Sequence, residues 1–312
     1  MTRTVLCVGV LVADVFVPTL EQLPTAGELV ATDDFLIQPG GCAANVAIGL
    51  GTLGVRAAVC GRVGDDLFGE FVERDLRLRG IDTSGVLSSP GLGTSKTVIL
   101  PVAGEDRRYI HTFGANAALA AADIGAAALE AAAVVYVGGY LILPGLREAE
   151  LGPRLEEARA RGTTVVLDVA APAGREPSLE AVGRLLPLAD YFVPNVDEAR
   201  VLTGETEPRR QADRLVEHGA QNVLIKLGER GTYVRSGGQS FEVDAPHVNV
   251  VEPSGAGDAF AAGLIVGILE GWDIERTVRF ASVTGASACT ALGSWGGVFT
   301  RDEAEAFLAA RA

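Results

Sequence analysis

The chain has 312 residues, 48% hydrophobic and 21% charged, a balance that builds a sizeable core and excludes a disordered protein. Its 40 acidic and 26 basic residues give a formal charge of −14 with no Lys/Arg-rich block, which argues against nucleic acid as a partner. The longest apolar runs, Ala131–Val137 and Ala259–Leu269, are too short or too Gly-rich to span a membrane, and "MTRTVLCVGVLVADV" meets Asp14 with no cleavage pattern, so a cytoplasmic protein is expected.

In chain order, "TVLCVGVLV" reads as the first strand and a helix is expected from about Cys42. The β-branched runs "RAAVC", "VVYVG", "TTVVLD", "DYFVPN" and "NVLIKLG" follow, each leading into a helical or loop segment. That alternation predicts an α/β fold, a mainly parallel sheet with helices on both faces. Residues 13–39 and 94–113 break the pattern with extended sequence and no helix, as in "TSKTVILPV" and "DRRYIHTF". They are read as a small antiparallel β lid on a main domain formed by 1–12, 40–93 and 114–312; the alternative is a pair of edge hairpins on the main sheet. The lid's alternating apolar face suggests a homodimer formed through it.

The cysteines Cys7, Cys42, Cys60 and Cys289 show no CxxC spacing and read as buried thiols, and three histidines, His111, His218 and His247, make a His-based metal cluster untenable. No GxxxxGK[ST] is present, and GxSxG and protein-kinase motifs are missing too. One GxGxxG occurs, "GLGTLG" from Gly49 to Gly54, but it closes a presumed helix where a dinucleotide fingerprint must open one. A nicotinamide-dependent oxidoreductase is therefore not supported.

In open parallel sheets ligands bind beyond the carboxyl ends of the strands. The informative polar residues collect there: Asp14, Gly40-Gly41, Asp168, Asn195, Lys226-Leu227-Gly228, and Gly255-Ala256-Gly257-Asp258 ahead of a long apolar helix. In "SGAGD" the glycines let backbone N–H groups approach an anion, and the helix that follows aims its positive end at the same point. Asp258 is either a helix cap or a general base, since the helix dipole favours its ionised form while partial burial raises its pKa.

These residues resemble the ribokinase-like carbohydrate kinases, the PfkB family. "PGGCAANVAIGLGTLG" with "CGRVGDDLFG" is similar to the N-terminal signature, "VEPSGAGDAFAAGLI" to the C-terminal one, "PNVDEA" to the NxxE element and "KLGERG" to the nucleotide loop. The resemblance spans nearly the whole chain and implies ATP-dependent phosphorylation of a hydroxyl on a sugar or related small molecule. It implies Asp258 as catalytic base and Gly255, Ala256 and Gly257 as the anion hole. Asp14, Gly40, Gly41 and Asn45 would hold substrate hydroxyls. Asn195, Lys226, Gly228, Gly231 and Ser282 would serve ATP, and Glu198 would act on Mg²⁺, often through water.

Departures bear on the details. Where the family has an Asp linked to a monovalent cation such as K⁺, this chain has Glu252, and the longer side chain weakens that site. "VAAP" after Asp168 lacks the Asn and Arg of fructokinase-like members, and "GGCAAN" differs from the ribokinase form, so neither fructose nor ribose is secured. A nucleoside kinase of the same fold is the alternative, with Phe16, Phe35, Tyr109 and Phe113 sandwiching a base. The other is a catalytically silent sugar-binding protein, against which the intact glycines before Asp258 argue.

Overall fold

The first β-branched run divides in two in the computed structural model, which describes residues 4–105, 107–171 and 177–310. Pro172 of "VAAP" lies outside these residues. Strand β1 (Thr4–Gly9) enters the main sheet and β2 (Val12–Phe16) leaves it for a second, smaller one. The amide of Asn116 holds the crossing, accepting from Leu11 N–H at 3.1 Å and donating to Leu11 C=O at 2.8 Å. The buried link between the sheets thus keeps its backbone hydrogen bonds without a strand partner.

The chain continues through β3 (Leu36–Gly40), α1 (Cys42–Thr52), β4 (Arg56–Gly64), α2 (Leu67–Leu78) and β5 (Asp82–Ser89). A hairpin of β6 (Lys96–Leu100) and β7 (Arg108–Thr112) leads to α3 (Ala126–Ala131), β8 (Ala132–Gly138), α4 (Glu148–Ala160), β9 (Thr164–Leu167) and β10 (Tyr191–Phe192). Helices α5 (Val196–Thr203) and α6 (Pro208–Glu217) precede β11 (Asn222–Lys226), β12 (Thr232–Ser236) and β13 (Gln239–Val243). The C-terminal helices are α7 (Ala256–Glu270), α8 (Ile274–Ala288) and α9 (Arg301–Ala309). "GLGTLG" ends α1 and turns at Gly54, as its position after a helix requires.

The main sheet runs β13-β12-β11-β10-β9-β8-β1-β4-β5, parallel except for the edge pairs β11–β12 and β12–β13. Side chains alternate across it with the period of two. Leu6 and Val8 of β1 and Val135 and Val137 of β8 pack with Leu151, Leu155, Ala199 and Leu215 of α4–α6. Val5 and Cys7, with Val134 and Tyr136, face Val46, Leu50, Leu264 and Phe280 of α1, α7 and α8 on the other side. Near-continuous apolar strands are what a sheet covered on both faces demands.

The small sheet expected from 13–39 and 94–113 forms in the order β3-β2-β6-β7. Its outer pairs are antiparallel and its central pair β2–β6 is parallel, because two hairpins from separate parts of the chain lie side by side. One register crosses all four strands through Gln38, Asp14, Thr97 and His111, so these polar residues share a face. The opposite face carries Ile37, Val15, Val98 and Ile110, of which Ile37 and Ile110 are exposed.

Candidate active site

The strand order reverses about β1, flanked by β8 and β4, and the crevice at such a switch is where a parallel sheet offers a site. Helix α1 starts there behind Gly41, whose φ of 88° and closeness to the Val10 carbonyl, 2.5 Å from any added Cβ, admit only glycine. Gly40 is small for a different reason: a Cβ would fall 1.8 Å from Asp14 Oδ2. The two glycines thus lay the buried Asp14 carboxylate against the start of α1.

Helix α7 starts in the same crevice. Gly255 precedes it at φ 77°, pressed against the Ser294 carbonyl, and Asp258 stands in its first turn. Asn45 Nδ2 of α1 donates to Asp258 Oδ2 at 2.8 Å, and the Cys42 thiol is a second donor. Burial pushes the Asp258 carboxyl up to about 7; the Asn45 bond pulls it down, and the nearby Asp168 charge adds to the rise. The residue keeps some solvent exposure, so the carboxylate is reachable although protein surrounds it. The result is a group that changes charge near neutral pH. Burial and Asp258 hold the Cys42 thiol well above its ordinary value, so it stays protonated and donating.

Lys226, at the end of β11, comes to this point from the other side. Its ammonium pairs with Asp168 Oδ2 at 2.9 Å and lies 3.3 Å from where a Cβ on Gly257 would sit. Burial alone would pull the ammonium down, but the carboxylates of Asp168, Glu198 and Asp258 outweigh it and keep Lys226 charged. Asp168 also accepts from Tyr136 Oη at 3.4 Å. A positive charge beside the first turn of a helix is a place where phosphate is stabilised.

Asn195 and Glu198 form a reciprocal capping box on α5: Glu198 N–H donates to Asn195 Oδ1 at 2.8 Å and Asn195 N–H to Glu198 Oε2 at 2.7 Å. Glu198 Oε1 and Asn195 Nδ2 lie outside that box. Burial pushes the Glu198 carboxyl up to about 7, opposed by Lys226. Among the described residues no three His, Cys, Asp or Glu side chains form a metal cluster. Mg²⁺ entering with phosphates asks for only one or two carboxylates, so this donor set fits it.

Gly231 packs its α-carbon against Val243 and Asp244, tying the 226–231 loop to one wall of an open cavity of about 1030 Å³. Ser282 of α8, whose buried Oγ has no hydrogen-bond partner, lines the same cavity with Pro246, His247 and Val283. One turn further along α8, Gly285 lies against the Ala256 carbonyl at the start of α7. Gly228, at φ 64°, sits exposed at the loop's tip.

Glu252 Oε1 is held by the Arg107 guanidinium at 2.9 Å as well as by Ser254 N–H at 2.9 Å, so this carboxylate faces an internal cation. Phe16 is buried at 1% exposure and cannot stack on a base, whereas Phe35, Tyr109 and Phe113 are exposed. Cys42, Arg107 and Asn116 were not legible as site or framework residues. Their partners lie far off in sequence: 216 residues away for Cys42, 145 for Arg107 and 105 for Asn116.

Residues 2–297 match the family model described as pfkB family carbohydrate kinase. The chain is 30% identical over 283 residues to 2-dehydro-3-deoxygluconokinase of Bacillus subtilis, covering 87% of this chain and 86% of that one. It is 30% identical over 280 residues to deoxyribokinase of Salmonella typhi, covering 88% of each. Arabidopsis thaliana ribokinase, solved with ribose and ATP, superposes with a TM-score of 0.83 at 25% identity over 99% of both chains. The chain belongs to the pfkB family of carbohydrate kinases and has the ribokinase-like fold.

Proposed function

From this membership we propose that the chain transfers the γ-phosphoryl group of Mg·ATP to a hydroxyl of a five- or six-carbon sugar or sugar acid, with Asp258 as general base. The hydroxyl oxygen bonds to phosphorus, the bond from phosphorus to the β-phosphate oxygen breaks, the hydroxyl proton passes to Asp258, and ADP leaves. The observation that carries this reading is the Asp258 carboxylate: in the first turn of α7, held by Asn45, with a pKa raised to about 7. A base of that pKa is about half ionised at neutral pH and basic enough to accept a proton.

The other roles follow from the same geometry. The N–H groups of Gly255, Ala256 and Gly257 and the Lys226 ammonium face the charge that develops on the transferring group. Mg²⁺ bound with ATP supplies charge neutralisation at the phosphates, and Glu198 Oε1 is the carboxylate oxygen that would hold it, directly or through water. Asp14, with Asn45 and the backbone at Gly40-Gly41, holds substrate hydroxyls; Asn45 Oδ1 is buried with no partner, an acceptor that a hydroxyl satisfies. The base of ATP lies in the cavity beside Ser282, and the small sheet closes over the sugar as a lid. A second copy covers its Ile37–Ile110 face, which light scattering checks through a dimer mass. No helix among the described residues is long and apolar enough to cross a membrane, in keeping with a cytoplasmic role.

The burial of Phe16 weighs against a nucleoside, leaving no aromatic on β2 to stack a base. A coupled ADP-release screen over pentoses, deoxypentoses, hexoses, keto-deoxy sugar acids and nucleosides tests the reading. Turnover on a sugar or sugar acid supports it. Turnover on nucleosides alone overturns the substrate class, and no ADP release with any acceptor overturns the activity.

A further inference from the structure

The loop that carries the start of α7 is hung on few points. Val251 N–H and Glu252 N–H both donate to the Cys289 carbonyl, at 2.7 and 3.1 Å, and Ser254 N–H donates to Glu252 Oε1 at 2.9 Å. The Glu252 side chain is 5% exposed, and the same Oε1 receives Arg107 Nη1 at 2.9 Å. A buried carboxylate needs a compensating charge, and here a side chain of the chain itself supplies it. Arg107 stands immediately before β7, so this ion pair joins the small sheet to the loop that leads into Gly255-Ala256-Gly257. A metal cation at Glu252 would stand against the guanidinium and be repelled by it.

We infer that Arg107 replaces the monovalent cation expected beside Glu252, acting as a positioning residue that sets the α7 loop and makes the enzyme indifferent to K⁺. The inference rests on the phosphotransfer reading for its kinetic consequence but not for its structural one. A guanidinium differs from a free ion in two ways: it needs no uptake from solution, and its forked N–H groups fix direction as well as charge. Loss of Arg107 leaves Glu252 as a buried carboxylate without its guanidinium, and a small cation can then enter.

The test compares wild type, Arg107→Gln and Arg107→Lys in KCl and in tetramethylammonium chloride at matched ionic strength. Melting temperature is read for all three, and kcat and KM with the best acceptor from the screen. Wild type should melt at the same temperature in both salts, with rates agreeing within about twofold. Arg107→Gln should melt lower in tetramethylammonium and recover in KCl, its kcat recovering about tenfold or more while KM for the sugar moves little. Arg107→Lys should behave as wild type, because it keeps a fixed cation. K⁺ activation of wild type above about tenfold overturns the inference, and so does an Arg107→Gln protein whose melting is indifferent to K⁺. The melting comparison needs no acceptor, so it decides the inference even where the screen returns no substrate.

Discussion

Replacing Asp258 by Asn separates a general base from a helix cap, because the two roles respond in opposite ways. Asn keeps the shape of the side chain, and its Oδ1 can still accept the 2.8 Å bond from Asn45 Nδ2. As a cap or first-turn residue it is nearly equivalent to Asp. As a base it is useless, since a neutral amide cannot take the hydroxyl's proton. We expect kcat to fall by about 10² to 10⁴, with ATP affinity almost unchanged because backbone N–H groups, Lys226 and Mg²⁺ still hold the phosphates.

Stability should move the other way. Burial raises the Asp258 carboxyl from 3.8 to about 7, so the folded chain holds this proton more tightly than the unfolded chain does. Below about pH 4 both states are protonated and burial costs little. Between about pH 4 and 7 wild type loses stability as pH rises, and above 7 it bears the whole penalty of a buried charge, on the order of a few kcal/mol. The Asn variant carries no such charge, so it should melt a few °C above wild type near pH 8, the difference fading by about pH 4. Initial rates by coupled ADP release, ATP binding by calorimetry and melting across pH make the comparison. A well-folded Asn variant with near-normal kcat refutes the base, and one that melts lower at pH 8 refutes the electrostatic reasoning.

Lys226→Met leaves the buried Asp168 without its 2.9 Å partner and should lose about 3–5 kcal/mol of stability with a raised KM for ATP, both measurable by melting and steady-state kinetics. Burial pushes the Asp14 carboxyl up to about 6 against the Thr97 hydrogen bond, so below that pH it is protonated and loses the charged acceptor that holds a sugar hydroxyl best. The acid limb of kcat/KM should therefore steepen from one proton below about pH 7 to two below about 6, while kcat keeps a single proton; a single-proton limb throughout contradicts the Asp14 assignment. Gly263→Ala places a Cβ 2.2 Å from Thr284 Oγ1 and 2.8 Å from Ala281 Cα where α7 crosses α8. It should cost about 1–3 kcal/mol by melting and be relieved only in part by Thr284→Ala, since the Ala281 backbone stays in place.

Local signals were legible wherever one stretch of chain carries its own reason. Gly-Ala-Gly-Asp before an apolar run announces the start of α7 because the turn and the helix are both made by neighbours in sequence. The Asn195 and Glu198 pair was readable only through the resemblance, as a phosphate-end site; the structure shows it as a capping box, one Glu198 oxygen closing the box and the other left outside it. The division of the first strand was not legible. Val10 and Leu11 are as β-prone as their neighbours, and what pulls them out of the sheet is the amide of Asn116, 105 residues on.

The same reasoning explains which site residues escaped. Glu252 looked like an altered ion ligand because it stands where the resembled family has a cation-linked Asp; its guanidinium comes from a hairpin 145 residues earlier. Cys42 read as an inert buried thiol, and it becomes a donor to Asp258 only because α1 and α7 start at the same crevice. In both cases the sequence pattern decides where each strand ends, while the pairing depends on which strand ends the sheet order brings together. A parallel sheet brings one or two residues from each of several loops to its switch point, so no single loop spells out the site. Composition was then the better guide: in a chain whose strands are buried on both faces, polar side chains at strand ends have few structural reasons to be there, and Asp168 and Lys226 stand at such ends.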